Sequence, residues 1–370
     1  MAKDGETIAR AAEAACGLGE RERPYVGRLA PSPTGSLHLG NARTFMVAWL
    51  RARSQGGKVV FRMEDLDHPR DKPGAAAAAV EDLRWLGFDW DEEHVQSERR
   101  EIYRDALSFL CGRGLAYPCV CSRRDVENAQ SAPHSGEQLF YPGTCRGRFS
   151  GWAEAQAHID GLPGTSGARR TPCWRFAVAP GSVVAIDDAF AGRFEQDVSA
   201  TLGDFPLARD VDGAGYTLAC AVDDLLMGVT EVVRGDDLLP ATPAQVLVAR
   251  ALAPWLAEKG VRTSPPAFCH VPLVVGPDGR RLAKRHGDTR ISSLRAAGAT
   301  PEDVLGFLAS SCGWVSRGER ASLESLLGRF DLSAIPRAPF VVGPPCATAV
   351  KFGTIQPSAK KELKDYGRKA

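Results

Sequence analysis

The stretch YVGRLAPSPTGSLHLGNARTFMVAWL, residues 25–50, opens as a short apolar strand, crosses a loop of prolines, glycines and hydroxyl residues, and then turns helical. In its last part Leu39, Ala42, Met46, Trp49 and Leu50 recur at three- and four-residue steps, the spacing of a helix with one buried face. A strand, a tight loop and a helix in that order form the first unit of a wound α/β sheet. The unit is followed by KVVFRME (58–64) as a second strand, GAAAAAVEDLRWLGF (74–88) as a second helix and REIYRDALSFLCGRG (100–114) as a third. Strands alternating with helices predict a doubly wound parallel, Rossmann-like sheet.

The alternation stops between about Tyr117 and Phe205, where cysteines cluster and short β-like runs appear (CWRFAVA, 173–179; SVVAI, 182–186). An inserted domain is expected there. Alternation returns with GYTLACAVDD (215–224), VTEVVRG (229–235) and TPAQVLVARALAPWL (242–256), the last with Thr242 as N-cap and Pro243 at the first helical position. The expected organisation is an N-terminal extension (1–22), a first half of the sheet domain (23–116), an insertion (117–205), a second half (206–290), a small helical segment (291–338) and a tail (339–370) without clear periodicity.

Composition narrows the functional classes. The 370-residue chain is 44% hydrophobic and 25% charged with a net charge of +1, an enzyme-like balance that excludes coating nucleic acid or an anionic membrane by gross charge. No segment approaches the about eighteen apolar residues of a membrane helix, and the N-terminus has no secretory pattern, so a cytoplasmic protein is expected. Ten cysteines scattered over this length do not read as a disulfide scaffold.

Two segments carry the chemistry. Ser32, Thr34 and Ser36 supply hydroxyls, Gly35 and Gly40 let backbone approach a ligand, and His38 falls at the start of the helix. Free amides at a helix start favour an anion, although such stretches also make simple turns. RRLAKRHGD (280–288) then gathers four cations on a loop after a Pro-Asp-Gly turn. Such a run is either a solvated face or the means to stabilise charge on a transferring phosphoryl or nucleotidyl group. A third segment holds Cys119-x-Cys121 and, further on, Cys145. Three thiolates make most of a tetrahedral zinc site; the alternative is that Cys119 and Cys121 are ordinary strand residues.

HLGN (38–41) resembles the HIGH motif and RLAKR (281–285) the KMSKS motif of class I aminoacyl-tRNA synthetases. GRLAPSPTGSLHLGNAR, RMEDLD, VVRGDDLL and RLAKRHGDTRIS together resemble the glutamyl branch, in the right order from about Val26 to Leu332. Cysteine spacing, and a chain that ends soon after the KMSKS-like loop, resemble the truncated paralogues that glutamylate queuosine in tRNA(Asp). The resemblance implies tRNA-independent activation of L-glutamate by ATP, then transfer to the queuosine base at the wobble position of tRNA(Asp), by a monomer. Two other readings are a shortened glutamyl-tRNA synthetase charging tRNA(Glu), which the run 288–314 keeps open, and a catalytically inactive RNA-binding paralogue.

Carried over residue by residue, the resemblance places ATP at Pro31, Ser32, Pro33, Thr34, Gly35, His38, Gly40, Asn41, Arg281 and Lys284, with His38 and Lys284 catalytic and Mg²⁺ accompanying the phosphates. It places glutamate at Arg28, Leu29, Ala30, Pro31, Ser32, Glu64, Tyr216 and Arg234, where an acidic amino acid finds cations, a carboxylate for its amino group and a phenol. It implies Tyr141 as the fourth ligand of a structural zinc with Cys119, Cys121 and Cys145, whereas ligand chemistry alone would have nominated His134. The sequence departs from the superfamily at Asn41, at Arg281 in place of the first KMSKS lysine, and at Ala283 in place of its serine.

Overall fold

The computed structural model describes residues 24–33, 36–66, 73–129, 140–162, 170–210, 213–282 and 288–343. In chain order its regular elements begin with β1 (Val26–Leu29), α1 (Leu39–Arg53), β2 (Lys58–Met63), α2 (Ala75–Trp85), β3 (Glu92–Val95) and α3 (Arg100–Gly112). Then come β4 (Ala116–Cys119), α4 (Arg123–Ala129), α5 (Trp152–Asp160), β5 (Cys173–Phe176), β6 (Val183–Asp188), β7 (Gly192–Asp197), α6 (Val198–Thr201) and β8 (Pro206–Ala208). The chain continues through α7 (Tyr216–Leu226), β9 (Glu231–Gly235), α8 (Thr242–Ala257), β10 (Ala267–Val271), β11 (Val274–Val275), α9 (Ile291–Ala296), α10 (Pro301–Ser311), α11 (Leu323–Leu327) and β12 (Phe340–Val341).

β1, β2 and β3 are parallel and hydrogen-bonded in that order, with Val26 opposite Lys58 and Val60 opposite Glu92. β9 and β10 form a second parallel pair, Glu231 opposite Ala267. The two pieces meet along β1 and β9: the Thr230 amide donates to the Val26 carbonyl (2.9 Å), the Val26 amide donates to the Thr230 hydroxyl (2.9 Å), and the Tyr25 hydroxyl donates to Glu231 (2.6 Å). The parallel sheet is therefore two abutting pieces rather than one continuous ladder, and the gap between their C-terminal ends is where a ligand crevice forms in such folds.

α1 packs its predicted stripe inward: Leu39, Met46 and Leu50 are fully buried, each contributing about 1.5–3 kcal/mol. Arg43 on the same helix is also buried, its Nε donating to Ser311 Oγ (2.8 Å) and its Nη1 to the Pro272 carbonyl (2.7 Å). One core joins α1, the first three strands and the C-terminal helices; a second gathers α3, α7, α8 and β9. A third is small, built on Tyr117, Cys119, Val120, Val126, Tyr141, Cys145, Ala155 and Ile159, beside the antiparallel strands β4, β5 and β8.

One local expectation is corrected. Thr242 does not cap α8, because a 3₁₀ turn over Asp236–Ala241 runs straight into it; its buried hydroxyl serves Arg234 instead. At the start of the segment from residue 339, β12 pairs in parallel with β11. Residues 344–370, including most of that tail, and 1–23 lie outside the described residues. Among the described residues no helix is long and apolar enough to cross a membrane.

Candidate active site

A cavity of about 1310 Å³ opens at the C-terminal ends of β1, β2 and β9. It is lined by Arg28, Ala30, Pro31, Ser32, His38, Gly40, Asn41, Glu64, Tyr216, Arg234 and Arg281, so residues drawn from five separated segments share one space. Leu29 is buried in the core behind the cavity, and Pro33 is not among its lining residues. Thr34, Gly35 and Lys284 lie outside the described residues.

On one wall His38 is the N-cap of α1. Its Nδ1 accepts from the Gly40 amide (3.1 Å) and the Asn41 amide (3.4 Å), while Asn41 Oδ1 accepts from the His38 amide (3.2 Å), closing a reciprocal capping box. The Leu39 amide donates to the Thr289 carbonyl (3.0 Å) and the Ala42 amide to the His38 carbonyl (3.0 Å). This corrects the expectation of free first-turn amides: all four are taken. What remains for an anion is the imidazole itself, whose Nδ1 is used as an acceptor, leaving the proton on Nε2. Burial, and to a lesser extent the charge of Arg281, pushes His38 down to about 4, so the ring is a neutral donor near pH 7.

The stretch after RLAKR is tied to the same wall. His38 bridges Arg290 in antiparallel fashion, and the Ile291 amide donates to the Leu37 carbonyl (2.9 Å). On its other side Arg281 pairs with Asp237 (2.9 Å) and bridges Val275. Arg281 on one side of 283–287 and Arg290 on the other are therefore both held at this cavity, and residues 283–287 lie outside the described residues.

The opposite wall is charged and buried. Arg62, fully buried, donates to Asp224 Oδ1 (2.7 Å) and Glu64 Oε1 (3.0 Å) and lies 3.8 Å from Asp223. Asp223 also accepts from Gln96, Arg99 and Tyr103. Arg28, nine-tenths buried, lies 3.4 Å from Asp224. Arg234 directs Nη1 toward the Tyr216 hydroxyl (3.4 Å). The outcome is two guanidinium groups and one carboxylate, all held from behind, on one wall of the cavity. Sequence reading missed Arg62, Asp223 and Asp224 as the supports; RMEDLD contained the signal, an arginine alternating with a carboxylate along a strand. It also missed Gln96, Thr217 and Asp237 in the lining.

Away from the cavity, Cys119, Cys121 and Cys145 present sulfurs within 4.8 Å of one another. Cys121 and Cys145 sulfurs are 3.6 Å apart, and Tyr141 Oη lies 3.2 Å from Cys119 Sγ and 3.5 Å from Cys121 Sγ. A tetrahedral zinc with bonds of about 2.3 Å needs ligand atoms roughly 3.7 Å apart, so the set fits. Gly203, with positive φ, presses on Tyr141 so closely that a Cβ would run into the Tyr141 carbonyl. His134 lies outside the described residues.

The chain matches the family described as tRNA synthetases class I (E and Q), catalytic domain, over residues 25–326. It is 45% identical over 341 residues to the glutamyl-Q tRNA(Asp) synthetase of Symbiobacterium thermophilum, covering 89% of this chain and 99% of that protein. Against the protein of the same name in Rhodopirellula baltica identity is 42%, covering 86% of this chain and 96% of the other. Among solved structures, a glutamate tRNA ligase from Elizabethkingia meningosepticum in complex with its amino acid superposes with TM-score 0.70 at 25% identity, over 89% of this chain and 69% of that one.

Proposed function

The chain belongs to the glutamyl-Q tRNA(Asp) synthetase family of class I tRNA synthetases, and from that premise we propose that its cavity performs the family's two steps with the side chains just described. It is an ATP-dependent ligase that activates L-glutamate and passes it to queuosine of tRNA(Asp). In the first step a glutamate α-carboxylate oxygen bonds to the α-phosphorus of ATP, the bond to the β-phosphate bridge breaks, and pyrophosphate leaves. In the second a queuosine hydroxyl oxygen bonds to the adenylate carbonyl carbon, the bond from that carbon to AMP breaks with its electron pair on AMP, and the hydroxyl proton passes to the departing phosphate or to water.

Arg28 and Arg234 hold the substrate carboxylates, Glu64 the ammonium and Tyr216 the side of the chain. His38 donates Nε2–H to the phosphates from one side, and Lys284, from the RLAKR motif, meets them from the other. No covalent enzyme intermediate is needed, so the gain comes from positioning and charge stabilisation. Mg²⁺ accompanying ATP would offset the phosphate charge.

The observation that carries this reading is the meeting, in one cavity, of a buried two-arginine, one-carboxylate pocket with His38 and Arg281, the first residue of RLAKR. Radiolabelled glutamate tests it: label is expected on queuosine-containing tRNA(Asp) and not on queuosine-free tRNA(Asp). Label on tRNA(Glu) instead would overturn the acceptor assignment.

Cys119, Cys121, Tyr141 and Cys145 would hold a structural zinc, which would staple this small core. Arg175 supports it, its Nε donating to Cys119 Sγ (3.2 Å) and its guanidinium lying 3.8 Å from the Tyr141 ring centre. The surrounding core is small, and such cores need a staple. Cys145→Ala is expected to lose the metal and to lower the thermal midpoint, measured by metal analysis and by calorimetry with and without chelator. A zinc-free wild type as stable as the loaded protein would refute the assignment.

A further inference from the structure

Behind Arg234 lies a buried chain of polar groups that the two steps above do not use. Asp188 Oδ2 accepts from His270 Nδ1 (2.6 Å), and Asp188 Oδ1 accepts the backbone amides of His270 (3.0 Å), Phe190 (3.0 Å) and Ala191 (2.7 Å). On the other face of the imidazole, Nε2 accepts from Arg234 Nε (3.0 Å). Arg234 Nη2 donates to Thr242 Oγ1 (2.7 Å), and that hydroxyl donates onward to the Leu238 carbonyl (3.0 Å). Asp188, His270, Arg234 and Thr242 are all more than nine-tenths buried.

We infer that Asp188 and His270 are positioning residues for the glutamate pocket: Asp188 fixes the imidazole tautomer, and His270 fixes the Arg234 fork that meets the substrate. Arginine offers only donors, so its Nε requires an acceptor behind it. His270 can be that acceptor only with its proton on Nδ1, and a carboxylate at Nδ1 enforces this tautomer. Burial, joined by the Arg234 charge, pushes His270 below its ordinary value against the pull of Asp188, which keeps the ring neutral. With Nε and one Nη2 proton engaged from behind, the guanidinium presents Nη1 toward Tyr216 and the cavity in a fixed plane, and recognition of a carboxylate by such a fork depends on that plane. Asp188 ends β6, whose neighbour Ala189 donates to the Phe268 carbonyl (2.9 Å) on β10. The inserted hairpin β6–β7 thereby buttresses a substrate contact.

The inference rests on the reading that Arg234 binds glutamate, and the experiment separates the two. Glutamate-dependent ATP–pyrophosphate exchange is measured on the full chain for D188N, H270Q, H270L and R234K, reading KM for glutamate and for ATP separately. Asparagine at 188 cannot accept at both positions. Its amide nitrogen facing His270 forces the other tautomer, which sets Nε2–H against Arg234 Nε–H. H270L and D188N are expected to raise the glutamate KM about tenfold or more, the value of a lost hydrogen bond to a charged group, with ATP KM and kcat within about threefold. H270Q, whose Oε1 can accept from Arg234, is expected to stay within about threefold of wild type. A general loss of structure would move both KM values together.

Unchanged glutamate KM in D188N and H270L overturns the inference. Should H270L fail to fold, D188N compared with H270Q decides: a roughly tenfold gap supports positioning, and equal values overturn it. If R234K also leaves the glutamate KM unchanged, the failure belongs to the assignment of Arg234 rather than to the relay.

Discussion

His38→Asn is expected to lower glutamate-dependent ATP–pyrophosphate exchange by about 100-fold or more, close to 3 kcal/mol of transition-state stabilisation, while leaving the protein as stable as wild type at pH 7. The separation follows from the two nitrogens of one ring. Nδ1 caps α1 by accepting from Gly40 and Asn41, and asparagine is among the best residues for that task. Nε2–H is the only part of the side chain left for the phosphates, and asparagine cannot reach as far. His38→Ala loses both roles and is expected to cost about 1 kcal/mol of stability as well.

The same variant carries a pH signature. His38 titrates at about 4 when folded, below its ordinary 6.5, so between these values the unfolded chain binds the extra proton. Stability from this residue is complete above about pH 6.5 and declines as pH falls toward 4. His38→Asn removes that decline, so thermal midpoints of variant and wild type should agree at pH 7 and diverge at pH 5 in favour of the variant. Identical pH dependence would show that the imidazole is not held neutral. Wild-type exchange should correspondingly show no limb near pH 6.5.

Arg62→Met should produce the largest loss of stability, about 3–5 kcal/mol, lowering the thermal midpoint on the order of 10 °C. Arg62 is fully buried and holds Asp224 and Glu64 at 2.7 and 3.0 Å. Methionine fills similar volume, so the loss measures uncompensated charge rather than a cavity. Asp223 keeps Arg99, Gln96 and Tyr103, so the strain falls on Asp224 and Glu64. Denaturant titration at pH 7 reads the loss; a change below about 1 kcal/mol would mean that the buried carboxylates do not depend on Arg62. Glu64 also loses its support, so glutamate KM is expected to rise in parallel.

Most of what can be done by one segment was legible in the sequence. The three- and four-residue steps of Leu39, Ala42, Met46, Trp49 and Leu50 gave α1 and its buried face, because periodicity reports directly which side chains leave water. The alternation of strand and helix predicted a parallel sheet, which β1 and β2 open, while the short β3 had no strand signal of its own, and the motifs from HLGN onward contain many of the cavity-lining residues, because each motif states its own chemistry locally. What a side chain does with the far end of its polar groups depends on partners distant in the chain, and no local pattern encodes them.

His38 was expected to leave its helix amides free, yet its own ring, and Thr289 some 250 residues on, use them. Thr242 had the form of a cap and became a rest for Arg234. Arg62 was one letter in a motif until the fold enclosed it with carboxylates from α7. The sequence by itself determined the elements, their order and the charges a glutamate and a nucleotide require. The tertiary structure alone decided which donors stay available to them, because a buried polar group must find a partner wherever the packed chain supplies one.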